Sequence, residues 1–306
     1  MPKDAANLSA ATLEDTALIF EGGAMRNAYT AAVVTTLVNE GIVFPKAYGT
    51  SAGSALAVFY ATRDPERARA SFTDAVNVKG AGGPKGFFEG HGFFNLSLMF
   101  EGLAEMNAID DDEWTVHFQQ LKNGPTDVHI EAFDMESGET KAWTRADMRT
   151  LTDCMMRIEA SCAYPLFTES IEIDGHRYID GGMGTSHDIC LDAAIADGFK
   201  RFFIVRTQPR DYRMQPMGAA KHEAYKVAYH NHKVVLDAME ARPAEYNKLI
   251  ERIAKLDEEG TAYVFYPDTM PVTFKTIDYD QLCHAYELGL DQCQRELPAW
   301  RQWLER

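Results

Sequence analysis

Pro45-Lys46-Ala47-Tyr48-Gly49-Thr50-Ser51-Ala52-Gly53-Ser54-Ala55-Leu56-Ala57-Val58-Phe59-Tyr60-Ala61 is the stretch on which the reading of the fold turns. A short strand over roughly 45–49 runs into Gly49-Thr50-Ser51-Ala52-Gly53, and residues 52–61 continue as an Ala-rich helix. A Gly-x-Ser-x-Gly between strand and helix makes a sharp turn that lifts the serine hydroxyl out of the sheet. The small residues Gly49 and Gly53 permit both the strained backbone and the close approach of a substrate. The helix start behind Ser51 adds N–H donors and a dipole suited to a developing anion. On these five residues alone, a Gly/Ser-rich turn that caps a helix stays open.

Upstream, the apolar run 16–20 ends at Glu21-Gly22-Gly23-Ala24-Met25-Arg26 and predicts a buried strand entering a loop. Residues 28–40 carry Val33, Val34 and Leu37 at helical spacing, and Gly41 suits the stop. The order strand, loop, helix, strand, tight turn, helix predicts an α/β fold with parallel strands. It also sets both loops at the same end of the sheet, where α/β sites form. Small residues at 22–24 let successive backbone N–H groups converge on one spot, as an oxyanion hole requires. An ordinary strand–helix turn or a phosphate loop is the other reading, and the Gly-x-Gly-x-x-G spacing of a dinucleotide site is absent.

Downstream, residues 128–133 alternate as a strand, 135–139 turn, and 141–144 pair back. A helix is expected at about 146–159, then a hairpin of 171–173 with 177–179 around Asp174-Gly175. Tyr178-Ile179-Asp180-Gly181-Gly182 ends an apolar strand in a carboxylate beside bare backbone, although a plain β-turn aspartate reads the same way. Residues 188–197 are predicted helical and 201–206 a buried strand. A long helical pattern covers 217–255 with an interruption at Pro243, 262–266 is a late strand, and the helix from Tyr279 breaks at Pro298. Trp300 and Trp303, spaced i, i+3, dock that helix. The aromatic stretch 86–100 fits either a lid or groove near the serine turn or core packing. Residues 1–14 read as a flexible leader, and no linker divides the rest, so 15–306 is expected to be one domain.

Lys and Arg number 30 against 46 Asp and Glu, for a net charge of −16. Such a surface repels phosphate backbones and docks poorly on anionic lipid, which argues against a nucleic-acid partner. With 46% hydrophobic residues the chain can bury a large core. The five cysteines, Cys154, Cys162, Cys190, Cys283 and Cys293, are odd in number and lack Cys-x-x-Cys spacing. They read as reduced, mostly buried thiols of a cytoplasmic protein, with no metal site. The N-terminus has no secretory pattern and no run is long enough to span a membrane.

Together these motifs resemble the patatin-like phospholipase family over roughly residues 16–206. The pieces are Gly22-Gly23-Ala24-Met25-Arg26, the pentapeptide 49–53, the Asp180-Gly181-Gly182 motif and the preceding Glu159-Ala160-Ser161-Cys162-Ala163-Tyr164-Pro165-Leu166-Phe167. Within the family the likeness is to a bacterial subgroup reading Glu-Gly-Gly-x-Met-Arg. The resemblance implies a three-layer α/β/α catalytic domain with a mainly parallel central sheet, residues 207–306 completing it with helices. It implies a Ser–Asp dyad with Ser51 as nucleophile and Asp180 as base, no histidine and no cofactor. Gly22, Gly23 and Ala24 would form the oxyanion hole, Arg26 would fix that loop, and Gly49, Gly53, Gly181 and Gly182 would support the site. The substrate would be an acyl ester or phospholipid, reached by transient membrane-surface contact.

Three departures from the family pattern stand out: Ala24 for a glycine, Asn27 for a glycine, and Ser186-His187-Asp188 for Asn-x-Pro. They bear on efficiency and substrate fit more than on reaction class. The order Ser51, Asp180, His187 also admits an α/β-hydrolase triad, and a degenerate, lipid- or partner-binding member is the non-enzyme alternative. His230 and His232 do not share a helix face and read as solvated.

Overall fold

The computed structural model describes residues 8, 9, 11–99, 102 and 111–306. Its strands are β1 (Thr16–Phe20), β2 (Lys46–Thr50), β3 (Asp127–Asp134), β4 (Thr140–Thr144), β5 (Ile171–Ile173), β6 (His176–Asp180), β7 (Arg201–Val205) and β8 (Ala262–Phe265). They form one sheet in the order β5-β6-β3-β2-β1-β7-β8, with β4 also paired to β3. The run from β3 through β8 is parallel, while β4 and β6 meet β3 antiparallel and β5 meets β6 antiparallel. This is the mainly parallel α/β sheet expected from the sequence.

Helices cover both faces, so the parallel strands are apolar on each side. In β1, Leu18 and Phe20 face a core shared with Ala31, Leu56 and Trp300, while Ala17 and Ile19 face Leu191, Leu249 and Ile253. A third cluster gathers Phe133, Ile179, Tyr225 and Met239 at the β3–β6 pair. The last helix, Tyr279–Leu304, docks through Trp300 and Trp303, whose rings lie 5.2 and 6.4 Å from Phe203. Tyr29 Oη donates to Gln292 Oε1 at 2.5 Å and ties that helix to Asn27–Asn39. No described helix is long and apolar enough to cross a membrane.

Several boundaries differ from expectation. Pro243 lies inside the helix Lys233–Glu258, and the break falls earlier, between it and Ala219–Ala228. Pro243 lacks only the N–H that would reach the Met239 carbonyl, and both residues line a cavity. Pro298 likewise sits within the last helix, on its exposed face, where water can serve the carbonyl it leaves free. The helix expected at 188–197 starts only at Leu191, because His187 and Asp188 take φ of 46° and 80°. The described part of the leader is anchored: Leu8 and Leu13 are buried, and the Val43 N–H donates to the Leu8 carbonyl at 2.7 Å. The remainder, residues 1–7 and 10, lies outside the described residues, as does Phe100 of the aromatic stretch.

Candidate active site

Ser51 stands where β2 gives way to the helix Ala52–Ala61, with φ 53° and ψ −137°. A side-chain-bearing residue rarely holds this left-handed geometry unless its surroundings enforce it. Here the Ser51 N–H donates to Ser161 Oγ at 2.9 Å, and Ser161 Oγ donates onward to the Glu131 carbonyl at 2.6 Å. Ser54 Oγ donates to the Ser51 carbonyl at 2.6 Å. Gly49 allows the turn to close, since a Cβ there would stand 2.1 Å from the Gly53 carbonyl oxygen.

Asp180 ends β6, directly opposite Ala132 on β3. It is fully buried. Its Oδ2 accepts from Ser51 Oγ at 2.6 Å and its Oδ1 from the Gly182 N–H at 2.8 Å. Burial, followed by the neighbouring Asp188 carboxylate, pushes Asp180 up to about 7, against the lowering pull of the Ser51 hydroxyl, Arg242 and the Gly182 amide. The fold therefore brings together the two side chains that sequence reading singled out, from positions 129 residues apart.

The glycine-rich loop follows β1, and its lining role is divided. The Gly22 N–H is occupied: it donates to the Asp188 carbonyl at 3.1 Å, which removes Gly22 from the expected set of anion donors. Among the described residues the amides of Gly23 and Ala24 meet no acceptor, and both residues line the cavity beside Ser51. Ala24 holds φ 48°. Arg26 makes no side-chain hydrogen bond or ion pair among the described residues, and its buried Nε is unpartnered, so it does not tie the loop as expected. Glu21 does so instead. Its carboxylate accepts from Arg206 Nε at 2.8 Å, the Thr207 N–H at 2.5 Å and Tyr246 Oη at 2.5 Å. Asn27 Nδ2 donates to the Glu21 carbonyl at 3.2 Å and Thr207 Oγ1 to the Gly22 carbonyl at 2.7 Å.

His187 is half-buried, and its Nδ1 is buried without a partner. Among the described residues no hydrogen bond joins it to Ser51 or Asp180, so a triad has no geometric basis. Burial holds its ring below the usual imidazole range, favouring the neutral form.

A cavity of about 380 Å³ opens over Ser51, within the usual range of small-ligand sites. Its lining combines apolar residues, among them Ala55, Phe72, Phe94, Leu96, Met99 and Phe167, with the polar Arg26, Tyr212, Lys221 and Arg242. The aromatic stretch thus divides: Phe94 and Met99 are buried and also wall the cavity, whereas Phe88 is 93% exposed. Sequence reading missed Asp188, Arg242, Tyr246 and Ser161, although Ser161 lay in a segment already singled out. One group of potential metal ligands also comes together, His129, Glu131 and Cys190, with ligand atoms all within 4.8 Å. His129 Nε2 is 2.8 Å from Glu131 Oε1, and Cys190 Sγ is 2.9 Å from Thr50 Oγ1. His129 and Glu131 share one face of β3, and Cys190 reaches them from the start of the helix Leu191–Ala196.

A search of solved structures finds VipD from Legionella pneumophila at 12% identity, covering 93% of this chain and 67% of that one with a TM-score of 0.50; this is a likeness of fold. A search of curated proteins yields no match. The family model described as a domain of unknown function, DUF6363, matches residues 232–305. The model of the patatin-like phospholipases matches residues 18–193, a span that runs from β1 through the serine turn and past Asp180, and the chain belongs to that family.

Proposed function

We propose that this protein is a serine acyl-ester hydrolase of the phospholipase A, lysophospholipase or esterase type, working through a Ser51–Asp180 dyad. Family membership carries lipid acyl hydrolysis as the general activity. The observation that supports the finer reading is the buried 2.6 Å hydrogen bond from Ser51 Oγ to Asp180 Oδ2 at the edge of an apolar cavity. Asp180 takes the Ser51 proton as Oγ bonds to the ester carbonyl carbon. The oxyanion rests on the Gly23 and Ala24 amides, each such donor being worth about 10²–10³ in rate. Collapse expels the alcohol, which carries off the proton, and leaves an acyl-serine. Water, giving a proton to the same carboxylate, then bonds to the acyl carbon; the acyl–Oγ bond breaks, Ser51 Oγ takes the proton back from Asp180, and the fatty acid leaves.

The apolar residues in the lining suit an acyl chain. We read 15–306 as one catalytic unit, supported by the helix Lys233–Glu258, which contributes Arg242 and Tyr246 to the cavity wall. Five free cysteines fit a reducing, cytoplasmic setting.

Ester hydrolysis over a series of acyl lengths, with Ser51→Ala and His187→Ala alongside, tests the reading. Turnover lost in the first variant and largely kept in the second is expected. Loss of turnover in both variants would favour a triad, and no turnover by the wild type would favour a non-catalytic binder.

A further inference from the structure

The segment 232–305 matches a family of unknown function, yet its helix Lys233–Glu258 reaches the reaction centre at two points one turn apart. Arg242 pairs with Asp188, its Nη2 donating to Asp188 Oδ2. Tyr246, on the same helix face, donates to Glu21 beneath the glycine-rich loop at 2.5 Å.

Asp188 is placed to act on both halves of the dyad site. Its carbonyl accepts the Gly22 N–H at 3.1 Å. Its Oδ1 crowds Gly182, the residue whose amide holds Asp180. A Cβ on Gly182 would stand 2.1 Å from Asp188 Oδ1 and 3.0 Å from Asp180 Oδ1. Two carboxylates therefore converge on one glycine, and the positive φ of both His187 and Asp188 is the local strain that brings the second one there. Two carboxylates this close resist joint ionisation unless a cation intervenes. Arg242 is that cation. Its Nη1 lies 3.5 Å from Tyr164 Oη, so the guanidinium is held from a second side.

We propose that Arg242 is a positioning residue of the hydrolytic site: by neutralising Asp188 it keeps Asp180 able to ionise as the base, and with Tyr246 it locks the glycine-rich loop. The segment of unknown function is, on this account, part of the catalytic centre rather than an appended module. The inference rests on the dyad reading above.

The groups facing Asp180 are Ser51, Asp188, Arg242 and the Cys162 thiol, which burial and Asp180 itself push up and keep protonated. Those facing Asp188 besides Arg242 and Asp180 are His187, Cys190, Tyr212 and Tyr246. Of these, the Asp188 and Arg242 charges are the ones whose removal shifts the base.

The test is the pH profile of kcat/KM for a soluble short-chain ester, measured on Arg242→Met, Arg242→Lys, Asp188→Asn and the double variant Asp188→Asn/Arg242→Met, with Tm recorded for each. Arg242→Met is expected to move the acid limb up by about one pH unit, lowering activity near pH 7 about fivefold. Asp188→Asn should move the limb the other way. The lysine variant and the double variant should lie near the wild type. If Arg242→Met does not fold, the opposite shift in Asp188→Asn and its reversal in the double variant decide the matter. A lowered Tm with the limb unmoved across the series would reduce Arg242 to a structural role and overturn the proposal. A wild type that hydrolyses no ester would instead overturn the dyad reading and this inference with it.

Discussion

Ser51 Oγ donates to Asp180 Oδ2 across 2.6 Å, from a residue with φ 53° to one that is fully buried. The serine is held proud of its strand by Ser161 and Ser54, and the carboxylate is fixed on its other oxygen by Gly182. Neither partner can turn away cheaply, so the pair is pre-organised rather than assembled on substrate binding.

Ser51→Ala and Asp180→Asn are each expected to lower kcat for ester hydrolysis by at least ~10³-fold, since members of such a unit fail almost completely when one is removed. The same substitutions should not lower Tm, and Asp180→Asn should raise it, because a strained, buried charge is relieved at a functional site. Steady-state kinetics and calorimetry on purified variants check both. A destabilised, still active Asp180→Asn would go against the assignment.

Activity and stability should respond to pH with opposite signs. The base acts ionised, so kcat/KM is expected to climb as pH rises through about 7, where burial and Asp188 have pushed the Asp180 carboxyl. The folded state binds that proton more tightly than the unfolded chain, whose carboxyl sits near 3.8. Asp180 therefore contributes its full stability below that value and loses it progressively as pH rises to about 7. The Tm of the wild type, taken relative to Asp180→Asn, should fall between about pH 5 and about pH 7. A constant difference across that range would contradict the assigned direction.

Ala24 and Gly49 should respond to substitution in opposite senses. Ala24 holds φ 48°, a conformation glycine adopts freely. Ala24→Gly is expected to leave stability unchanged or raise it by less than about 1 kcal/mol, with activity retained. Gly49→Ala drives a methyl to within 2.1 Å of the Gly53 carbonyl oxygen and must displace the serine turn. Loss of about 3 kcal/mol or more, or failure to fold, is expected, read by chemical denaturation.

Beneath the loop, Arg206 and Glu21 form a buried pair at 2.8 Å. Arg206→Met would leave the Glu21 carboxylate without its cation in a site only 2% exposed. A loss of about 3–5 kcal/mol is expected. The companion double variant Glu21→Gln/Arg206→Met should recover part of it, which a denaturant titration would show.

The parts legible in the sequence were those that depend on local pattern. Apolar runs marked β1 and β7, the small residues around Ser51 marked the turn, and Asp174-Gly175 marked its hairpin, where both residues do take positive φ. Asp180 stood out because a carboxylate at a strand end beside two glycines is chemically suggestive. What stayed hidden depends on contacts distant in the chain. Asp188 looked like a departure from a motif, and its partner Arg242 is 54 residues away. Glu21 looked like the first letter of the loop, while its partners Arg206 and Tyr246 come from a strand end and a late helix. Pro243 and Pro298 were read as breaks because local propensity disfavours them; tertiary packing around both helices overrides one lost hydrogen bond each.

Reaction with a fluorophosphonate, followed by peptide mass spectrometry and rate measurement on wild type, His187→Ala and Asp180→Asn, tests the dyad most directly. The account predicts an adduct on Ser51 that forms at similar rates in the wild type and the histidine variant and far more slowly in Asp180→Asn. An adduct on another residue, none at all, or a rate that collapses on loss of His187 would contradict it.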